Sequence, residues 1–593
     1  MIQDDEVRGK IYDRRLFRRM LTYMRPYRHI LATAVGMIII AAVLQLVGPL
    51  LTRLAIDDYI KIGDMNGLNV LVVIYFSVLI VTFFIQYFQA YLTQYLGQRL
   101  MYDLRSEIFT HLQSLSLRFF DRNPVGRLMT RVTSDVESLN QMFTQGVVNI
   151  FGDLFLLLGI VTAMLYINWK LALWTLAVIP VLFLITHIFK KKVRVAFRQV
   201  RKWLAQINTL LQENITGMRI VQVFNREAEN YKQFSAVNAQ YTRSYIRMIF
   251  YYAIFYPAIE VVSAVAIALV LWRGGIMRLE EAVSYGTLVA FIQFAEKFFR
   301  PISDLSEKYN VLQGAMAASE RIFKLLDTKP DIINPPNPYR PERVKGNIEF
   351  NKIWFAYNDD DYVLRDISLH IAAGESVAVV GHTGAGKTSL INLISRQYDI
   401  NRGEIILDGM DIRRWDLQAL RGSMALVLQD VFLFSDTIME NVRLANKDIS
   451  DADVVQACKK VYAHEFIEQL PGKYQTQLTE RGLSLSMGQR QLLAFARAVA
   501  FNPSILILDE ATSNIDSETE HLIQKAMAVM MRERTSIIIA HRLSTIQHVD
   551  RILLFHKGRL CEEGTHKELM RQKGLYYQLY QLQYKEQKVM VYK

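Results

Sequence analysis

Apolar runs long enough to cross a bilayer set the first limit on this chain. A hydrocarbon core takes about 20 consecutive apolar residues per helix. Segments of that kind stand at 30–50, 68–88, 147–167, 171–188, 248–271 and 284–304. The first, third and fifth are clear, whereas the last carries Glu296, Lys297 and Arg300. All precede Leu326; beyond it the apolar stretches are short and bounded by Gly, Asp and Asn. A chain of 593 residues exceeds one domain. The predicted division is a six-helix, all-α transmembrane domain over 1–325, a linker over 326–345 and an α/β domain over 346–593.

The formal charge of +12 fits a membrane protein better than a nucleic-acid binder. Lys and Arg cluster beside the apolar runs, and no basic stripe with interleaved aromatics occurs. Arg14, Arg15, Arg18, Arg19, Arg25 and Arg28 precede the first run. Further cations fill the second-to-third connection (Arg99 to Arg131) and the fourth-to-fifth (Lys190 to Lys202), while the alternate connections are short and poorer in cations. The positive-inside rule then puts the N-terminus, both basic loops and the C-terminal domain in the cytoplasm. The first run is too long for a signal-peptide core and reads as a retained span. Two cysteines, Cys458 and Cys561, offer neither a disulfide framework nor metal-ligand spacing.

Leu16, Phe17, Met20, Leu21 and Met24 recur at helical spacing, which predicts a short helix on the inner membrane surface, or more plainly a fraying basic tail. Pro124 and Gly126 punctuate the first basic loop at 119–127 and Gly217 the second at 211–220, where long helices are expected to turn. Asp153, Glu260, Glu296, Lys297 and Arg300 are costly inside spans and are either functional or paired between helices. Pro49, Pro180, Pro257 and Pro301 are expected to kink their helices. Proline density over 327–341 excludes a helix and marks a semi-rigid linker.

The C-terminal domain carries motifs for phosphate chemistry. The short apolar run Ser376–Val380 leads directly into Gly381, His382, Thr383, Gly384, Ala385, Gly386, Lys387, Thr388 and Ser389. This is a G-x-x-x-x-G-K-[ST] loop between a strand and a helix. Its glycines let backbone N–H groups wrap phosphates, and the helix N-terminus adds its dipole. Lys387 is placed for the β- and γ-phosphates and Thr388 for Mg²⁺. A second run, Ile505–Leu508, ends in Asp509 and Glu510. Asp509 is suited to hold Mg²⁺, and Glu510 to orient and deprotonate an attacking water. His541 ends a third run and is placed for the γ-phosphate. Gln429 follows the strand 424–428 and can reach Mg²⁺ or the lytic water. Tyr357 is an adenine-stacking aromatic or a buried strand aromatic.

A second phosphate-type turn, LSMGQ at 485–489, opens another helix. In order, Tyr357, GHTGAGKT, Gln429, LSMGQ, ILILDE, SNID (513–516) and His541 resemble the nucleotide-binding motifs of the ATP-binding cassette family. The resemblance covers 346–582. The apolar domain resembles the exporter branch, with FFDRNPVGR and ENITGMR similar to its two coupling loops. The chain thus resembles an ABC half-transporter of the bacterial inner membrane, similar to multidrug exporters.

The resemblance implies ATP and Mg²⁺ as cofactors, and a second ABC half-transporter as partner. Ser486, Gly488 and Gln489 would face a γ-phosphate held by that partner. Met487 departs from the family, which has glycine there. An imperfect signature beside intact Lys387, Glu510 and His541 favours a heterodimer over a homodimer. The implied cargo is a hydrophobic or amphipathic compound taken from the lipid bilayer; a lipid flippase or peptide exporter is the alternative. An ATP-gated regulator or channel is a reading of another class, against which Glu510 argues, since a switch has little use for a general base.

Overall fold

The computed structural model describes residues 13–358, 361–509, 517–540 and 548–582, without the side chains of 145, 147, 300, 302–307, 309, 310, 517 and 518. The chain divides into two compact units, one of residues 1–113 and 125–328, the other of residues 114–124 and 329–593.

The first unit is helical. Its main elements are α1 (Arg14–Met24), α2 (Arg28–Leu54), α3 (Met65–Ser114), α4 (Val148–Leu176), α5 (Ile179–Thr216), α6 (Glu227–Leu279) and α7 (Tyr285–Leu326). At 1.5 Å per residue, the 50 residues of α3 span about 75 Å, far more than the roughly 30 Å of a hydrocarbon core. Among the described residues, four helical stretches are long and apolar enough to cross a membrane: Arg14–Ile60, Met65–Ser114, Val125–Leu176 and Glu227–Leu279. Of the expected segments, 284–304 falls on a helix outside that set, and 171–188 overlaps it only at 171–176.

The segment 171–188 is not one helix. The backbone of α4 leaves helical geometry at Asn168, whose Oδ1 accepts from the Leu171 N–H (3.0 Å) and so restarts the helix. That helix stops at Leu176, and α5 begins at Ile179 with Pro180 in its first turn. Pro180 therefore starts a helix rather than kinking one, because the N–H it lacks is unsatisfied there in any residue. Pro49, Pro257 and Pro301 do lie inside helices.

The amphipathic N-terminal segment forms α1, with Asp13 capping the N–H groups of Arg15 and Leu16. Its apolar face is turned largely onto protein rather than left for lipid: Met20 and Met24 are buried, and only Leu21 of the five is exposed. Met20 Sδ lies 2.8 Å from the Ser319 hydroxyl, and the Arg19 guanidinium sits 4.3 Å above the Phe323 ring. Arg19 also pairs with Asp327 (2.7 Å). Of the charges flagged within spans, Asp153 pairs with Lys308 across helices, Glu260 and Glu296 are exposed, and Lys297 donates to the Gln45 carbonyl (2.6 Å). The Arg300 side chain lies outside the described residues.

The second unit is an α/β domain. Strands β1 (Ile348–Ala356), β2 (Tyr362–Ile371), β4 (Arg402–Leu407) and β5 (Met410–Asp411) form an antiparallel sheet in the order β2-β1-β4-β5. A six-stranded sheet runs β10-β9-β3-β8-β7-β6, built from β3 (Ser376–Val380), β6 (Met424–Val427), β7 (Ile505–Asp509), β8 (Thr535–Ile539), β9 (Arg551–His556) and β10 (Arg559–Gly564). All of its pairings are parallel except that of β10 with β9.

Strand residues point alternately to opposite faces, and here they feed two separate cores. Val377, Val379, Ile505, Ile507, Ile537 and Ile539 join one core. Ala378, Val380, Leu506, Leu508 and Ile538 join the other. The first core holds α8 (Lys387–Ile394) and the antiparallel sheet; the second holds α9 (Met487–Ala500) and α10 (Ser517–Met531). Continuous Val/Ile/Leu runs are what a parallel sheet covered on both faces requires.

The proline-rich stretch after α7 is non-helical but stapled down. Tyr339 bridges to Trp415, and Asp416 accepts from Arg340 (3.0 Å) and Asn334 (3.2 Å). The segment 114–124 is held in the same unit. Arg118 donates to the Tyr357 carbonyl (3.0 Å), Arg122 to the Asn358 side chain (3.2 Å), and Tyr398 to Asp121.

Candidate nucleotide site

The carboxyl ends of three parallel strands are in register: Val379 of β3 pairs with Ile539 of β8, which pairs with Asp509 of β7. On the far side, Val427 of β6 pairs with Leu508. One sheet edge therefore carries the loop after Val380, the Asp509 carboxylate and, two residues beyond Val427, Gln429. Ligands of doubly wound sheets bind at such edges. Glu510 and His541, expected at this edge, lie outside the described residues, as do Ser513–Asp516.

The loop after β3 is wound for close backbone approach. Gly381, Gly384 and Gly386 have φ of +150°, +82° and +100°, a region that side chains disfavour. A Cβ on Gly381 would meet the Phe555 carbonyl at 2.2 Å, so the residue is fixed by space as well as by torsion. Gly386 caps α8, and Lys387 and Thr388 open it. The Lys387 side chain curls back inside the loop, donating to the carbonyls of Gly381 (2.6 Å) and His382 (3.2 Å). It is 6% exposed. Burial lowers its pKa, and nearby Asp509 opposes that by favouring the ammonium. A desolvated cation inside a ring of left-handed glycines, beside a carboxylate, has the chemistry of a triphosphate and divalent-cation site.

Of the remaining loop residues, Ala385 is buried in the core beneath, while His382 and Thr383 stay at the surface. Ser389 faces Tyr357, with 3.0 Å between the two hydroxyls. The Tyr357 ring packs edge-on against Phe355 (4.7 Å) and Tyr398 (5.0 Å). Tyr357 is partly buried and lies one residue beyond the end of β1. Its contacts also tie it to the loop through Ser389 and to the 114–124 segment through its carbonyl. The glycine spacing made the loop readable from sequence. Nothing in the sequence marked Arg118, Asp121 or Tyr398 as neighbours of Tyr357.

LSMGQ is placed elsewhere. Ser486 caps α9, accepting from the Gln489 N–H (3.2 Å), and Gln489 Oε1 accepts in turn from the Ser486 N–H (3.0 Å). This reciprocal capping box satisfies two N–H groups of the helix start with side chains of the motif itself. Gly488 is buried, Ser486 exposed, and Met487 41% exposed. The Met487 side chain thus points outward. Among the described residues, no hydrogen bond joins Ser486, Gly488 or Gln489 to the loop 381–389. The two helices serve different cores, on opposite faces of the sheet.

Comparison with known proteins places this arrangement in a family. Residues 31–302 match the family model for the ABC transporter transmembrane region, and residues 364–513 that for the ABC transporter. The chain is 38% identical, over 98% of its length and 96% of the relative's, to the uncharacterized ABC transporter ATP-binding protein YknV of Bacillus subtilis. It is 36% identical, over 97% of its length and 95% of the relative's, to the ATP-dependent lipid A-core flippase of Syntrophus aciditrophicus. It is 37% identical to the probable multidrug resistance ABC transporter ATP-binding/permease protein YheH of Bacillus subtilis, over 88% of this chain and 77% of that one. Among solved structures, an ATP-bound bacterial Atm1-family ABC exporter superposes with a TM-score of 0.78 at 26% identity, covering 94% of this chain and 98% of that one. The fold and site define an ATP-binding membrane transport protein. The chain belongs to the ABC transporter family, with an exporter-type transmembrane domain, and couples ATP hydrolysis to transport.

Proposed function

We propose that this chain is one half of an ATP-driven exporter of hydrophobic or amphipathic compounds, and that nucleotide is bound between two such halves. The observation that carries this reading is the separation, within one cassette, of a phosphate loop and a second glycine-containing turn whose helices pack on opposite faces of one sheet. Neither completes the other, so each needs a partner's counterpart. Names of relatives such as YheH support a multidrug cargo; the flippase relative supports a lipid as the second reading.

In this reading the loop 381–389 wraps the triphosphate, and Lys387 exchanges its own loop carbonyls for phosphate oxygens. Thr388, Asp509 and Gln429 hold Mg²⁺, which supplies charge neutralisation on the phosphates. Tyr357 flanks the adenine. Glu510 deprotonates the attacking water, and His541 contacts the γ-phosphate. Ser486, Gly488 and Gln489 address the partner's nucleotide, with Met487 beside them as the departure that favours a heterodimer. The N-terminus and the cassette face the cytoplasm of a bacterial cell, where ATP is available.

The test is Glu510→Gln in the assembled transporter. Turnover should fall by about 10²-fold or more while ATP stays bound. Transport that persists through this substitution would replace the pump with a nucleotide-gated switch. Robust drug-stimulated ATPase from a purified homodimer would remove the reason for a different partner.

A further inference from the structure

Lys297 is a cation on a helix expected within the membrane, and neither nucleotide binding nor hydrolysis uses it. Its ammonium donates to the Gln45 carbonyl at 2.6 Å. Gln45 lies four residues before Pro49, which stands inside α2. In an α-helix, the carbonyl of residue i accepts from the N–H of residue i+4, and proline has none. Pro49 therefore strips the Gln45 carbonyl of its helical donor. In hydrocarbon, an unsatisfied backbone group costs several kcal/mol.

Two more polar contacts join the same helices. Asp57, just beyond α2, accepts from the Gly286 N–H at the start of α7 (2.9 Å), and Gln293 of α7 donates to Thr52 (3.4 Å). Lys297 is the far end of this ladder and its cation.

We propose that Lys297 is a positioning residue: it supplies the donor that Pro49 removes from α2, and thereby latches α2 to α7 in a way that any separation of the two helices must break. A proline-freed carbonyl and an ammonium each have one other satisfactory partner, water. The latch therefore holds while this interface is dry and yields once it is wetted.

The test compares Lys297→Met, Pro49→Ala and the double variant in the full-length transporter, reconstituted in phospholipid nanodiscs. Two readouts are taken, the thermal midpoint and amide exchange across 45–57 and 285–297. Lys297→Met should lower the midpoint by at least about 2–4 °C and should speed exchange in both segments. Adding Pro49→Ala returns an N–H to the Gln45 carbonyl. The midpoint should recover, while exchange across 285–297 stays fast because the interhelical tie is still missing. If Lys297→Met does not accumulate, recovery of yield by Pro49→Ala is the same result. An unchanged midpoint and exchange in Lys297→Met, or no recovery on adding Pro49→Ala, would overturn the proposal.

Discussion

Two helices of the cassette open at glycine-containing turns, and they are built on opposite principles. At 381–387 the backbone is forced into left-handed torsions, and a buried lysine donates to carbonyls of its own loop. At 485–489 the helix start is quenched by its own side chains, Ser486 and Gln489 capping one another's backbone. In the proposed account, the first turn is organised around an anion before one arrives. The second is satisfied as it stands, and its outward surface is free for something presented to it. In the proposed account, holding a nucleotide and completing a partner's site are thus separate tasks with separate local physics.

Substitutions should separate the two turns. Lys387→Ala removes the only buried cation of the first turn, and ATP turnover in the assembled transporter should drop by about 10²-fold or more, read by phosphate release. A smaller change would mean that the glycine backbone alone suffices. Ser486→Ala should cost about 1 kcal/mol of helix-start stability by removing a cap, read in cassette unfolding, while leaving ATP affinity at Lys387 unchanged. Loss of that affinity would show that the two turns act within one chain. Met487→Gly should give the smallest effect. Turnover at the site this turn completes should rise about two- to threefold, equivalent to roughly 0.4–0.7 kcal/mol. No rise would mean that the outward-pointing methionine leaves the phosphate approach clear.

Legibility in the sequence followed the strength of local constraint. The phosphate loop was readable because its glycines and lysine have few other uses at that spacing. The parallel sheet was readable because strands covered on both faces become runs such as Ile505–Leu508. The α1 helix was readable from its period, but its burial was not: Met20 lodges against Ser319, a residue some 300 positions away. Hydropathy read 171–188 as one span, but the chain ends one helix at Leu176 and starts the next at Ile179 with Pro180 in its first turn, a local break that an apolar run does not reveal. Lys297 was readable only as either functional or paired, because its bond to the Gln45 carbonyl is a pairing that sequence distance conceals. The neighbours of Tyr357 were hidden for the same reason, because 114–124 is far from it in the chain.

The central claim is that nucleotide lies between this chain and a second half-transporter. The most direct measurement is a structure of the assembled Glu510→Gln transporter trapped with ATP. The account predicts Ser486 and Gly488 of this chain within hydrogen-bonding reach of a triphosphate seated on the partner subunit's phosphate loop. A triphosphate bound at Lys387 with both subunits' second turns left in solvent would contradict it.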